Sequence, residues 1–268
     1  MATITAVRFR PFALLARRED PSAESAQPRR RPDAAAPGGA PADSLGPIVM
    51  LGVPGAGKGT QARRIVERFG LPQISTGDIF RAAVAAGTPA GRELAGYMEK
   101  GELVPDELVC EIVAARLLLP DCRRGCILDG FPRTVAQAEW LRGFLDENGM
   151  LGPCGLIVIY LTVGYNELYR RLAGRRFCPS CGRIYNDATQ PPRVAGRCDV
   201  DGTELQQRRD DDPQVVRERL IAYEEQTLPL IEYLRRCSCF HQILGTDPID
   251  RVTANVFGAL AACRGAAE

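Results

Sequence analysis

Short apolar runs alternate with longer segments of helical spacing along most of this chain. Ile48-Val49-Met50-Leu51, Cys126-Ile127-Leu128-Asp129, Leu156 to Leu161 and Phe240 to Leu244 read as strands too apolar to leave a face in water. The spacing between them predicts helices from Lys58 to Phe69, closed by Gly70 and Pro72, and over a segment carrying Arg81 that breaks at Gly87-Thr88-Pro89 and resumes from Ala90 to Lys100. Further helices are predicted from Asp106, taken as an N-cap, through Leu119, and from Thr134, another cap, to about Asp146. The rest run from Tyr165 to Ala173, from Arg217 to Arg236 with an interruption at Pro229, and from Pro248 to Ala262. Strands of this kind alternating with helices predict an α/β fold, a parallel sheet core flanked by helices. Ligands of such sheets sit at the carboxyl ends of the strands, and Asp129, last in its strand, faces that crevice.

Residues 1–46 break the pattern. They pass through Arg29-Arg30-Arg31-Pro32 and Ala34-Ala35-Ala36-Pro37-Gly38-Gly39 without a sustained period, and are expected to form a disordered extension. The first eighteen residues contain arginines and no acid, which fits an organellar transit peptide, but Glu19, Asp20, Glu24 and Asp33 argue against one. A start codon placed too early is the third reading. The expected location is the cytoplasm, or an organelle if the extension is a transit peptide.

Composition narrows the classes. With 45% apolar and 25% charged residues and a formal net charge of +1, the 268-residue chain suits a globular domain with small insertions. It offers no bulk attraction to nucleic acid or an anionic membrane, and no apolar run approaches the ~18 residues that would span one. Of ten cysteines, Cys110, Cys122, Cys126, Cys154, Cys237, Cys239 and Cys263 are scattered through apolar helix and strand patterns, as small hydrophobes in a reducing compartment.

The chemistry begins after the first strand, at Gly52-Val53-Pro54-Gly55-Ala56-Gly57-Lys58-Gly59-Thr60. A strand, a glycine-rich turn and a helix N-terminus make an anion site, with backbone N–H groups lacking helical partners and the helix dipole behind them. Lys58 adds a mobile charge for the β/γ region of a nucleotide. Gly59 stands where the generic P-loop has Ser or Thr, the magnesium ligand, and Thr60 comes one place late.

Together with this stretch, Ser75-Thr76-Gly77-Asp78 with Arg81, Leu128-Asp129-Gly130-Phe131-Pro132-Arg133, the Gly174-Arg175-Arg176 step and Arg208-Arg209-Asp210-Asp211 with Arg217 resemble the adenylate kinase family of nucleoside monophosphate kinases, from about Pro47 to the C-terminus. The resemblance implies a P-loop NTPase-like core (47–74, 105–169 and 213–268), a small helical AMP-binding segment (75–104) and a lid over ATP (170–212), hinged at Gly174 and Asp210–Pro213. It implies ATP, AMP and ADP as partners and a monomer, with Mg²⁺ held mainly by substrate phosphates and water. ATP would lie on Gly55, Ala56, Gly57, Lys58, Gly59, Thr60, Arg171 and Arg175. AMP would meet Thr76, Arg81, Gly130, Arg133 and Gln137, with Thr76 and Gln137 on the adenine side and Leu103 and Val104 lining the base pocket. Lys58, Arg133, Arg175, Arg208 and Arg217 would carry catalysis as phosphate-binding cations, the last two also reaching AMP, and Asp129 would act through Mg²⁺-bound water. An AMP phosphate oxygen is already anionic, so the reaction needs charge neutralisation and alignment rather than a general base. Arginine suits that work because its planar fork stays charged and bonds phosphate bidentately.

Within the lid, Cys178-Pro179-Ser180-Cys181 and Cys198-Asp199-Val200-Asp201 form C-x₂-C-x₁₆-C-x₂-D. Paired knuckles at this separation signal structural Zn²⁺ on Cys178, Cys181, Cys198 and Asp201, with no open position for chemistry. A metal-free lid and a Cys178–Cys181 disulfide are the alternatives. A UMP/CMP-type kinase is opposed by Thr76 and the long lid. A zinc-ribbon module for nucleic acid is opposed by the acids Asp187, Asp199, Asp201, Glu204 and Asp210–Asp212 among the lid arginines.

Overall fold

A computed structural model describes residues 45–265 of the chain. The readings of residues 1–44 lie outside the described residues. Five strands form one parallel sheet: β1 (Ile48–Leu51), β2 (Gln73–Ser75), β3 (Ile127–Asp129), β4 (Ile157–Thr162) and β7 (Cys239–Leu244), in the order β2-β3-β1-β4-β7. The sequence pattern missed β2, a three-residue strand with a single buried apolar side chain, too short for either periodicity to register.

The apolar runs are buried on both faces, as expected of a parallel sheet. Along β1, Ile48 and Met50 join Ile65 of α1 (Lys58–Phe69) and Val256 of α9 (Ile249–Gly265). Val49 and Leu51 point the other way, toward Val113 of α4 (Asp106–Leu117) and Leu141 of α5 (Val135–Glu147). Register then positions the site. Ser75 pairs with Asp129, and Asp129 with Met50, so three strands end in one row and the loops after them open on the same edge.

Two insertions overhang that edge. One carries α2 (Thr76–Ala85) and α3 (Pro89–Lys100), each capped by a side chain, Ser75 and Thr88. The other follows α6 (Tyr165–Ala173) and contains the antiparallel pair β5 (Arg175–Phe177) and β6 (Ile184–Asn186). The C-terminal helices differ from the sequence reading. α7 spans Pro213–Ala222, starting ahead of Arg217 because Asp212 caps it and Pro213, which needs no N–H partner, opens it. A π-helical turn over Tyr223–Thr227 leads into α8 (Leu228–Leu234). Pro229 has no N–H for the ladder and its ring crowds the preceding turn, which accounts for the break. Asp106 is the first residue of α4 rather than its cap, which is Pro105, and the helix stops at Leu117.

Candidate active site

The P-loop is built as an anion cradle. Gly57 caps α1 at φ 97°, no side chain bonds the exposed N–H groups, and no acid stands in the first turn. Gly52 has no room for a larger residue: a Cβ there would lie 2.5 Å from the Leu161 carbonyl oxygen. At Gly59 a Cβ would approach Asp129 Oδ2 to 3.3 Å. The position where a generic P-loop carries its hydroxyl therefore faces a strand-end carboxylate.

Lys58 folds back on its own loop, its Nζ donating to the Gly52 carbonyl at 2.7 Å and the Val53 carbonyl at 3.0 Å. Burial pulls its pKa down to about 8, against the opposing charge of Asp129. Burial likewise pushes Asp129 up, against Lys58, and its Oδ2 accepts from Gln73 Nε2 at 3.1 Å.

A cleft of about 690 Å³ lies over this loop, and its walls include Gly55, Lys58, Thr60, Asp129, Arg171 and Arg175. A second cavity of about 60 Å³ is lined by Thr76, Leu103, Val104, Gly130 and Gln137. Arg81, Arg133 and Arg219 border both. Arg133 is fixed by its neighbours: Nε donates to the Gly130 carbonyl at 2.9 Å and its carbonyl accepts from Thr227 Oγ1 at 3.0 Å. Burial, then the nearby Arg219, lowers the Arg133 pKa to about 10.

Acids hold the remaining cations. Arg81 pairs with Asp78 at 2.6 Å and Asp210 at 3.7 Å, and Arg208 with Asp78 at 3.9 Å. Arg219 bonds the Asp210 carbonyl at 2.8 Å and carboxylate at 2.9 Å, Arg175 is paired with Asp211, and Arg171 with Glu167 at 2.8 Å. Arg208 Nε is buried without a hydrogen-bond partner among the described residues, and burial lowers this arginine to about 10. The site is thus an over-supply of buried cations balanced in part by carboxylates.

One sequence-predicted residue does not belong. Arg217 is exposed and borders none of these cavities, whereas Arg219 borders them. At 3.6 residues per turn the two flank opposite sides of the buried stripe made by Val216 and Leu220. The stripe is visible in sequence, but which flank meets the cleft is not. Asp106, read only as a cap, also joins the site: its carboxylate accepts from Thr134 Oγ1 and Gln137 Nε2, each at 2.7 Å. Thr76 donates to the Gly130 carbonyl at 3.0 Å.

The knuckles meet as their spacing predicts. Ligand atoms of Cys178, Cys181, Cys198 and Asp201 all lie within 4.8 Å of one another. Cys181 Sγ and Cys198 Sγ are 3.5 Å apart, and both Asp201 oxygens are 3.5 Å from Cys178 Sγ. Backbone N–H groups of Cys181 and Val200 point at the sulfurs of Cys178 and Cys198, and Thr203 N–H bonds the Asp201 carboxylate, holding it well below the usual carboxylate range. Three sulfurs and one carboxylate at these separations fit one tetrahedral ion. Among the described residues the core beneath it is Cys178, Tyr185 and Cys198, with Leu205 against them.

The adenylate kinase family profile matches residues 50–238. The chain belongs to the adenylate kinase family. Adenylate kinase of Thermodesulfovibrio yellowstonii is 51% identical over 213 residues, covering 80% of this chain and 98% of that protein. The adenylate kinase of Archaeoglobus fulgidus is 49% identical over 76% of this chain and 93% of its own length, and that of Carboxydothermus hydrogenoformans 48% over 80% and 98%. Among the described residues no helix is long and apolar enough to cross a membrane.

Proposed function

We propose that this chain transfers the terminal phosphoryl group of MgATP to AMP, reversibly, giving two ADP. The observation that carries the reading is the shared wall: Arg81, Arg133 and Arg219 border both the large P-loop cleft and the smaller cavity at Thr76 and Gln137. Two polyanions approaching from the two sides would meet on those guanidinium groups.

In this reading ATP phosphates take the α1 N-terminus and Lys58, and displace the Gly52 and Val53 carbonyls from its ammonium. AMP takes the smaller cavity, base against Leu103 and Val104 and phosphate toward Arg81 and Arg133. Arg175, Arg208 and Arg219 exchange carboxylate partners for phosphate oxygens, and Arg171 joins them from the lid side. The exchange holds charge ready without leaving bare cations in the empty site, and it stabilises negative charge where the phosphoryl group moves. Magnesium, arriving with ATP, would neutralise phosphate charge and align the oxygens, and Asp129 and Thr60 would meet its water shell. The insertions at 75–104 and 170–212 close over the nucleotides and exclude water, an alternative acceptor.

Zinc on Cys178, Cys181, Cys198 and Asp201 would brace the lid, which has too little core to hold its shape alone. The family resemblance further supports a monomer working in the cytoplasm, which light scattering and cell fractionation test. A coupled assay offering AMP, CMP, UMP and GMP with MgATP tests the main reading. AMP should be the best acceptor by about tenfold or more in kcat/KM, and any other nucleotide in first place would overturn it.

A further inference from the structure

Gln137 is 2% exposed, and its side-chain amide meets partners of fixed character at both ends. Its Oε1 accepts the Arg133 backbone N–H at 2.7 Å, and its Nε2 donates to Asp106 Oδ1 at 2.7 Å. The second Asp106 oxygen accepts the Thr134 hydroxyl at 2.7 Å, and that hydroxyl oxygen accepts the Gln137 backbone N–H at 3.1 Å. A backbone N–H only donates and an ionised carboxylate only accepts. A half-turn of the amide would therefore set N–H against N–H and oxygen against oxygen, losing both bonds in a buried place.

Gln137 also lines the smaller cavity, together with Thr76, Leu103 and Val104. After its two internal bonds the amide keeps one lone pair on Oε1 and one proton on Nε2. An acceptor beside a donor complements adenine, whose exocyclic amine donates next to a ring nitrogen that accepts. A 6-oxopurine presents an acceptor where adenine has the amine, so it would be matched only by the turned amide.

We propose that Asp106 determines acceptor specificity by holding Gln137 in the adenine-selecting orientation, so that the site rejects 6-oxopurine nucleotides. The inference rests on the AMP reading above. Asp106 is a positioning residue that acts through Gln137. Asp106 on α4 and the Arg133 backbone N–H ahead of α5 set the amide jointly, because neither partner alone supplies both an acceptor and a donor constraint.

The test compares kcat/KM for AMP and for GMP, with MgATP as donor, in the wild type and Asp106→Ala. The AMP-to-GMP ratio should fall about tenfold, the worth of one buried hydrogen bond to a charged group, while the Arg133 bond keeps some selectivity. Because both acceptors are assayed on one preparation, the ratio does not depend on the folded fraction. An unchanged ratio with both acceptors slowed alike would overturn the inference and leave Asp106 a structural role. On the wild type, ¹⁵N NMR should find the Gln137 Nε2 proton that is bonded to Asp106 protected from solvent exchange, and an unprotected proton there would equally overturn it. A wild type that does not prefer AMP refutes the AMP reading itself, whatever the variant does.

Discussion

Arg217 and Arg219 offer a sharp test of the site, because the sequence motif points to the first and the fold to the second. Arg219 borders both cavities and is bonded to Asp210 at 2.8 and 2.9 Å, while Arg217 is exposed. Replacing Arg219 by Met keeps much of the volume and removes one cation from the point where the two phosphate chains would meet. Loss of one such donor removes about 3 kcal/mol of transition-state stabilisation, on the order of 10² to 10³ in kcat. Stability should fall as well. Burial, together with the positive charge of Arg175, lowers the Arg219 pKa against the pull of Asp210, but Arg219 is also the foremost of the cations that hold the mostly buried Asp210 carboxylate below its ordinary range against its burial. Arg219→Met leaves that acid short of a partner, so it should melt below the wild type as well as turning over far more slowly. Arg217→Ala should keep its rate within about twofold and its stability within about 0.5 kcal/mol, as a surface change does. A coupled assay for kcat and KM with both nucleotides varied, paired with thermal denaturation, reads all of these values. If Arg217→Ala lost rate as steeply as stated for Arg219 while Arg219→Met stayed near wild type, the helical phase argued for α7 would be refuted.

Two further expectations concern protons and metal. Lys58 carries a pKa of about 8 in the empty fold against an ordinary value of 10.5, so between those values the folded chain holds fewer protons than the unfolded one. Stability from this group rises with pH across that window, and below it the buried ammonium is a constant cost. Phosphate beside Lys58 restores its basicity, so MgATP binding at about pH 9 should take up close to one proton; calorimetry in buffers of different ionisation enthalpy measures it, and zero uptake would refute the assignment. For the lid, metal analysis of reduced protein should find about one zinc per chain. Asp201→Ala should weaken that binding about tenfold or more, and chelation should lower the melting temperature of the lid; zinc-free native protein would refute the site.

Much of this was legible in the chain because it depends on local pattern. Ile48–Leu51, Ile127–Asp129 and the apolar core of β4 are buried on both faces because nearly every side chain in them is apolar, and such runs can satisfy only a covered parallel sheet. The glycines and Lys58 of the P-loop, the Thr134 cap and the two Cys knuckles likewise carry their meaning in spacing alone, since each is a turn with its ligands a few residues apart. The three-residue β2 carried too little pattern of its own, and only its pairing with β3 makes it a strand.

What the tertiary structure decided is of a different kind. Whether Arg217 or Arg219 enters the cleft depends on which side of α7 packs toward the P-loop, and the Val216–Leu220 stripe is symmetric on that point. Asp106 lies 28 residues from Thr134 and 31 from Gln137, yet its carboxylate bonds both. A carboxylate at a helix start has the same local signature whether it caps a backbone or orients a distant amide. Local sequence determined most of the elements, the glycine-rich turn and the paired Cys knuckles, because those patterns close within a turn or two. The choice among equivalent charges and the locking of Gln137 waited on packing, because their partners come from other elements of the fold.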